Sequence, residues 1–271
     1  MVNISMAAEK SEMSFLHHLE ALRWHLVRSA AAVMALAFVL FYYKDFVFGT
    51  VIFGPMHNDF ITYRALCKIS YLIGLGDSLC MQSISFNLIN IDLSGQFTTH
   101  IWVSLIGGVV VGSPYVLWEL WRFIKPALHQ KEKSHTTGVV LYASLLFITG
   151  ILFSYYVIVP MTINFLGNYQ VSPMVKNTIS MDSYISTVTV LTLIMGLVFE
   201  LPIIIFFLTK VGLMGPAFMR KNRRFAVVII LIVAAVITPS SDIPTLLFVS
   251  TPLYLLYEAS IFVSKYAEKK N

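Results

Sequence analysis

Charged side chains are scarce in this sequence: Asp, Glu, Lys and Arg make up 12% of its 271 residues, whereas apolar residues make up 57%. Soluble domains carry about 25% charged residues, and a soluble fold of this length could not bury so much apolar surface in its core. Intrinsically disordered proteins and disulfide-dense secreted scaffolds are also excluded, since the first have low hydrophobicity and the second are rich in cysteine. The composition therefore predicts a polytopic membrane protein.

Cysteine is nearly absent as well, with only Cys67 and Cys80 present. Without a second pair or a nearby His cluster, these two residues do not indicate a zinc site. If their segment lies outside the cytoplasm, where disulfides persist, we expect a bridge between them; two free thiols beneath the loop are the alternative. The sequence also lacks a GxSxG elbow, an HExxH run and a Gly-rich phosphate loop. We therefore expect neither enzymatic activity nor a cofactor or bound metal.

Long apolar runs predict six membrane-spanning helices within a single domain, 1–271. A span needs roughly 20 apolar residues, and the fifth run is short enough to require a locally thinned bilayer or shelter among neighbouring helices. The predicted spans are residues 24–43, 99–123, 137–160, 183–208, 225–237 and 243–263.

Ahead of the first span, residues 12–23 have the periodicity of an amphipathic helix. Phe15, Leu19, Leu22 and Leu26 fall on one helical face. This pattern fits either a segment lying along the membrane interface or a plain extension of the first span.

The distribution of basic residues predicts that both termini are cytoplasmic. Cytoplasmic loops of membrane proteins collect Lys and Arg. With the N-terminus inside, fifteen of the 19 Lys and Arg residues are cytoplasmic, and only four are outside: Lys44, Arg64, Lys68 and Lys176.

Glu200 is an ionisable residue within the fourth predicted span. It precedes Lys210 by ten residues, or roughly 15 Å of helix, which places it near the middle of the membrane. A charged side chain there costs free energy, and ionisable residues at such positions usually have a function. Pro202 follows and predicts a local interruption of the helix. We expect Glu200 and Pro202 to form a docking point for a partner's transmembrane helix; a protonated acid hydrogen-bonded within the bundle is the alternative.

Several ordered motifs resemble the TatC family, the receptor core of the twin-arginine translocase. The resemblance covers nearly the whole chain, although the first outer loop, residues 60–95, is less similar. The motifs are FLHHLEALR at 15–23, SPYVLWELWRFIKPAL at 113–128 with KEK at 131–133, FELP at 199–202, TPSSD at 238–242 and PLYLLYE at 252–258.

The resemblance implies a fold and a function. The fold is six helices forming a concave, glove-like wall, with Glu200 facing its hollow. The function is that of a receptor in a bacterial cytoplasmic (inner) membrane, where the proton-motive force drives export of folded proteins. The implied partners are TatA-type and TatB-type single-span proteins, twin-arginine signal peptides of folded cargo, the lipid bilayer and other copies of the chain, but no nucleic acid.

The same resemblance implies a signal-peptide site on the cytoplasmic face. Glu132 matches one acidic position of the family, but Ala21 stands where the family has a second acid, and Glu20 lies about 100° away on a helix. We expect Glu132 to receive the paired arginines through bidentate hydrogen bonds. The other expected site residues are Glu119, Glu20, Arg23 and Lys125.

Two other classes of membrane protein remain as alternatives. A proton-coupled secondary transporter could use Glu200 as its proton carrier, although such proteins usually contain internal repeats, and none is visible between the first and last three spans. A membrane scaffold without a substrate is the other alternative, but it would not need a buried acid.

Overall fold

A computed structural model describes residues 2–74, 76–80, 87–124, 136–172, 174, 177–238 and 243–269. The long helices follow the apolar runs, because a backbone inside a bilayer must satisfy its own hydrogen bonds. Their bounds are α1 Val2–Tyr42, α4 Gly95–Ile124, α5 Thr136–Phe153, α6 Val159–Asn168, α7 Met181–Phe199, α8 Leu201–Lys210, α10 Arg223–Ile237 and α11 Ile243–Lys269. Residues Ser154–Ile158 form a π-helical turn that joins α5 to α6.

Shorter elements connect the long helices. They are α2 Lys44–Phe46, a π-helical segment Val47–Ile52, two 3-10 turns at Gly54–Met56 and Gly76–Leu79, α3 Ile61–Leu72, α9 Pro216–Lys221, and the strands β1 Asn87–Ile89 and β2 Thr178–Ser180. The two strands pair in parallel, with Leu88 opposite Ile179. No pattern in the sequence predicts this pairing. We call the part of the molecule that contains α3, β1 and β2 the α3 end.

Within the described residues, four helical stretches are long and apolar enough to cross a membrane: Glu20–Tyr42, Gly95–Ile124, Gly138–Asn168 and Met181–Lys210. This confirms the predicted class of polytopic, all-helical membrane protein. The last two predicted spans coincide with α10 and α11, and their crossing of the membrane stays a prediction.

The N-terminal segment continues directly into the first span. α1 is one helix from Val2 to Tyr42, so residues 12–23 belong to the same helix as the first predicted span, and their position relative to the membrane stays a prediction.

Two glycines allow α1 and α4 to pack closely. A Cβ atom at Gly108 would lie 2.7 Å from the carbonyl oxygen of Val33, and one at Gly112 would lie 3.2 Å from Leu36. Small residues at such positions let helix backbones approach each other in a membrane. Gly108 and Gly112, which are four residues apart in α4, therefore both lie in a helix interface.

α5 and α7 pack in the same way. A Cβ at Gly150 would lie 2.6 Å from the carbonyl oxygen of Met195, and one at Gly196 would lie 2.9 Å from the ring of Phe147. The main hydrophobic core surrounds this contact and includes Ile158, Ile185 and other residues of α6, α7 and α11. These helices form the platform that holds the functional residues.

Candidate functional site

A hydrogen-bonded pair of His25 and Glu119, which is an ion pair when the histidine is protonated, closes the interface between α1 and α4 at the end where α4 terminates. His25 of α1 contacts the carboxylate of Glu119 of α4 through its Nδ1 atom. The pair follows from the antiparallel packing of the two helices, in which later residues of α4 contact earlier residues of α1. Phe41 stacks on His100, and Val33 contacts Gly112. His25 therefore falls opposite Glu119.

Glu119 is almost completely buried, with 1% of its side chain exposed. Besides His25, its carboxylate accepts a hydrogen bond of 3.1 Å from the Tyr115 hydroxyl and lies 3.8 Å from the Arg122 guanidinium. Arg122 also lies over the Trp118 ring, 4.8 Å from its centre. A buried carboxylate needs such partners to compensate for its lost hydration. Glu119 is thus engaged in a contact within the molecule. The sequence does not predict this contact, because no motif marks His25 as its partner.

The other predicted signal-peptide residues lie around this ion pair or beyond the described chain. Glu20 and Arg23 are exposed on α1, five and two residues before His25, on the part of α1 that packs near the end of α4. Lys125 and Glu132 lie outside the described residues. Their contribution to the site stays a prediction.

The second group of predicted residues lies where a long helix is interrupted. α7 ends at Phe199, Glu200 caps it, and α8 begins at Leu201. Pro202 has no backbone N–H to donate to the Val198 carbonyl, and the turn tightens at this point, with the Glu200 N–H donating to the Leu197 carbonyl at 3.1 Å. The interruption predicted from Pro202 is confirmed.

The side chain of Glu200 is buried, with 8% exposed, and its Oε1 atom has no hydrogen-bond partner within the described part of the chain. Its neighbour Phe199 packs against Phe153, with 5.8 Å between ring centres. An unpaired polar atom in apolar surroundings costs free energy until it finds a partner. Glu200 is therefore suited to accept a hydrogen bond from a group outside this chain, or to donate one to such a group.

The remaining predicted pair, Cys67 and Cys80, forms a disulfide in the structure. It links α3 to the end of the 3-10 turn Gly76–Leu79, at the α3 end of the molecule. Across the described residues, no group of three or more His, Cys, Asp or Glu side chains is placed to hold a metal ion.

Two buried acids accompany the apolar helices: Glu200 at the interruption between α7 and α8, and Glu119 beside Arg122 near the end of α4. Together these features define a polytopic helical membrane protein. The family model of the Sec-independent protein translocase protein (TatC) matches residues 17–252. The chain therefore belongs to the TatC family.

Curated relatives agree with this assignment. A protein from Blattabacterium sp. subsp. Periplaneta americana, named Sec-independent protein translocase protein TatC, is 38% identical over 98% of this chain and all of the relative. Sec-independent protein translocase protein TatCy of Bacillus subtilis is 32% identical over 96% of this chain and 92% of its own length.

Two solved structures share the fold. Both are titled as crystal structures of the twin arginine translocase receptor TatC, one of them in DDM. The first is 31% identical, with a TM-score of 0.67 over 92% of this chain and 99% of the solved chain. The second is 30% identical, with a TM-score of 0.70 over 91% and 99%.

Proposed function

We propose that this chain is the core receptor subunit of a twin-arginine translocase, a non-enzymatic transport component. The observation that carries the proposal is the similarity of its fold, over nine-tenths of the chain, to solved twin arginine translocase receptors. The secondary-transporter alternative is not favoured, because the related proteins are named as translocase components.

The proposal includes the predicted membrane arrangement: six crossings by α1, α4, α5–α6, α7–α8, α10 and α11, arranged as a concave wall in a bacterial inner membrane. Two features support it. Basic residues concentrate in α9, at the start of α10 and near both chain ends, and the helices α8, α9, α10 and α11 pack against one another.

We further propose that the cytoplasmic surface around the ends of α1 and α4 binds Arg-Arg signal peptides. Glu132 would pair with the arginines, while Glu20, Arg23 and Lys125 would flank it. The ion pair between His25 and Glu119 supports this proposal, because it fixes α1 against the end of α4, from which the chain continues toward Glu132. Glu119 would contribute by holding this surface together, or by direct pairing if an arginine displaced His25.

Crosslinking of a twin-arginine signal peptide to the full chain in membranes tests this site. Glu132→Ala should strongly reduce the crosslink while insertion remains normal, because bidentate carboxylate pairing selects arginine. Ala21→Glu should increase it by restoring the family's second acid. A matched control is Glu268→Ala at the end of α11. Unchanged crosslinking in both Glu132→Ala and Ala21→Glu would refute the assignment.

For Glu200, we propose docking of a polar side chain from the transmembrane helix of a TatA-type or TatB-type partner. Its buried Oε1 atom, which has no hydrogen-bond partner among the described residues, supports this role. Glu200→Gln keeps a hydrogen-bonding group and should retain more partner binding in co-purification than Glu200→Ala. Thr192→Val is the control, since its hydroxyl already donates to the Val188 carbonyl within the helix. Parent-level binding by both Glu200 variants would remove the docking role.

A further inference from the structure

The helix α3 exposes an apolar stripe although it lies between the first two spans and not within one. Ile61, Ile69 and Leu72 are 57%, 45% and 85% exposed, and Ile73, just beyond the helix, is 65% exposed. At 100° per residue, Ile61, Ala65, Ile69 and Leu72 fall within about 80° of one another. Water-soluble surfaces rarely present such a contiguous apolar stripe without a binding role.

The opposite face of α3 is attached to the protein. Tyr63 is buried, and its hydroxyl donates to the carbonyl oxygens of Pro55 at 2.7 Å and of Pro160 at 3.4 Å. Burial raises the pKa of Tyr63 above its ordinary value, so the hydroxyl remains a donor. Thr62 donates to the Tyr156 carbonyl. These contacts fix which face of α3 points away from the molecule.

The same contacts determine the depth of α3. The span that contains Tyr156 begins at Gly138, so Tyr156 is roughly 27 Å along the helix at 1.5 Å per residue. The hydrocarbon core of a bilayer is about 30 Å thick. Taking Gly138 as one edge of the hydrocarbon core puts Tyr156, and α3 with it, near the opposite edge, where acyl chains meet headgroups, while α6 continues to Asn168 beyond it.

Basic residues flank the apolar stripe on one side. Arg64 and Lys68 are exposed, one turn apart, and they lie next to Ile61 and Leu72 on the helix. Of the acidic residues nearby, Asp59 precedes the helix and Asp77 accepts a hydrogen bond from Tyr71. An apolar stripe bordered by Lys and Arg is typical of helices that lie in a membrane interface, where long basic side chains reach the headgroups.

We propose that α3 is an interfacial membrane anchor: its stripe of Ile61, Ala65, Ile69 and Leu72 dips into the leaflet, and Arg64 and Lys68 contact anionic lipid headgroups. The disulfide Cys67–Cys80 keeps the following turn folded beside the helix. This proposal does not depend on the receptor function.

Fluorescence quenching in nanodiscs tests the depth of α3. Bimane is attached to Ile61→Cys or Leu72→Cys in the full chain, and mass spectrometry verifies that the native disulfide is intact. The control is Met174→Cys, because Met174 is 93% exposed and follows the end of α6, roughly 45 Å from Gly138 along the helix. Brominated lipid should quench positions 61 and 72 several-fold more than position 174, and aqueous iodide should show the reverse order.

Two results would overturn the anchor. Iodide quenching at 61 and 72 as strong as at 174 would place α3 in water. Protection from both quenchers would indicate a covering protein, either a second copy or another partner.

The headgroup contact is tested by comparing phosphatidylcholine nanodiscs with and without phosphatidylglycerol. The anionic lipid should increase bromine quenching at position 61, and the Arg64→Gln/Lys68→Gln variant should lose that increase. Equal quenching in the two bilayers for the parent protein would refute the role of the basic pair.

Discussion

His25 and Glu119 illustrate how two ordinary residues acquire a role through packing. Neither residue has a recognisable motif for pairing, and 94 positions separate them in the chain. Because Glu119 is 1% exposed, loss of its partner would leave a buried carboxylate without its main compensation. Breaking a buried pair by removing one partner is strongly destabilising, whereas exposed pairs contribute little.

We therefore expect His25→Leu to lower the free energy of unfolding by about 3 kcal/mol, measured by thermal or denaturant unfolding in detergent. Arg122→Gln is the control and should cost less than about 1 kcal/mol, since Arg122 is half exposed and 3.8 Å from Glu119. Replacing both partners, as in His25→Leu/Glu119→Leu, should recover much of the stability. Equal losses for His25→Leu and Arg122→Gln would contradict the assigned role.

At the scale of elements, close helix packing depends on the absence of a Cβ atom at a few positions. Gly108 faces the backbone of α1, where a Cβ would meet the Val33 carbonyl oxygen at 2.7 Å and the Ala37 nitrogen at 3.0 Å. Backbone atoms cannot move aside as a flexible side chain can. A Cβ atom at position 108 would therefore force α1 and α4 apart.

Gly108→Ala should therefore destabilise the protein by about 1–3 kcal/mol, the usual cost of overpacking. Gly138→Ala is a matched control, because no atom of the described residues lies within 4 Å of a Cβ at that position, and it should be neutral or stabilising by up to about 1 kcal/mol. Unfolding of the two variants in the same detergent provides the comparison. The prediction fails if the two variants are equally stable.

The disulfide stabilises a local element, α3 and the turn that follows it. Its sequence separation of 13 residues corresponds to a stabilisation of about 3 kcal/mol in the chain-entropy account. Cys67→Ser/Cys80→Ser should therefore increase hydrogen exchange and proteolysis in residues 61–80 and leave α5 and α7 unchanged. Two alkylation-reactive thiols in denatured, unreduced parent protein would show that the bridge does not form.

At the scale of the whole molecule, charge determines orientation. α9 and the start of α10 contain four basic residues, Arg220, Lys221, Arg223 and Arg224, whereas α3, β1 and β2 contain two, Arg64 and Lys68. The transfer of Lys and Arg across a membrane is disfavoured during insertion. We therefore expect the α3 end to face the outside and α9 to face the cytoplasm.

An impermeant maleimide tests this orientation in intact cells. A cysteine at Met174 should react from outside, whereas a cysteine at Phe218, which is 58% exposed in α9, should react only after lysis. Both positions are exposed in the structure, so a difference in labelling reports on the side of the membrane. The opposite labelling pattern would invert the topology.

The sequence by itself determined the class of protein and most helix positions. Hydrophobicity and proline act locally, so the apolar runs 99–123 and 225–237 differ from α4 and α10 by only a few residues, and Pro202 marks the break after Glu200. The helix of the third predicted span continues past residue 160 to Asn168, because Pro160 falls at the start of α6, where a proline is tolerated.

Tertiary structure alone decided which distant groups meet. The pairing of β1 with β2, the contact of His25 with Glu119 and the attachment of Thr62 to Tyr156 all join segments more than 80 residues apart. Such contacts depend on the register in which helices pack, which small residues such as Gly108 set by allowing one close approach. Burial of the Glu200 oxygen, which has no partner in the described part of the chain, likewise follows from how α7 and α8 pack, and not from any pattern within their own sequence.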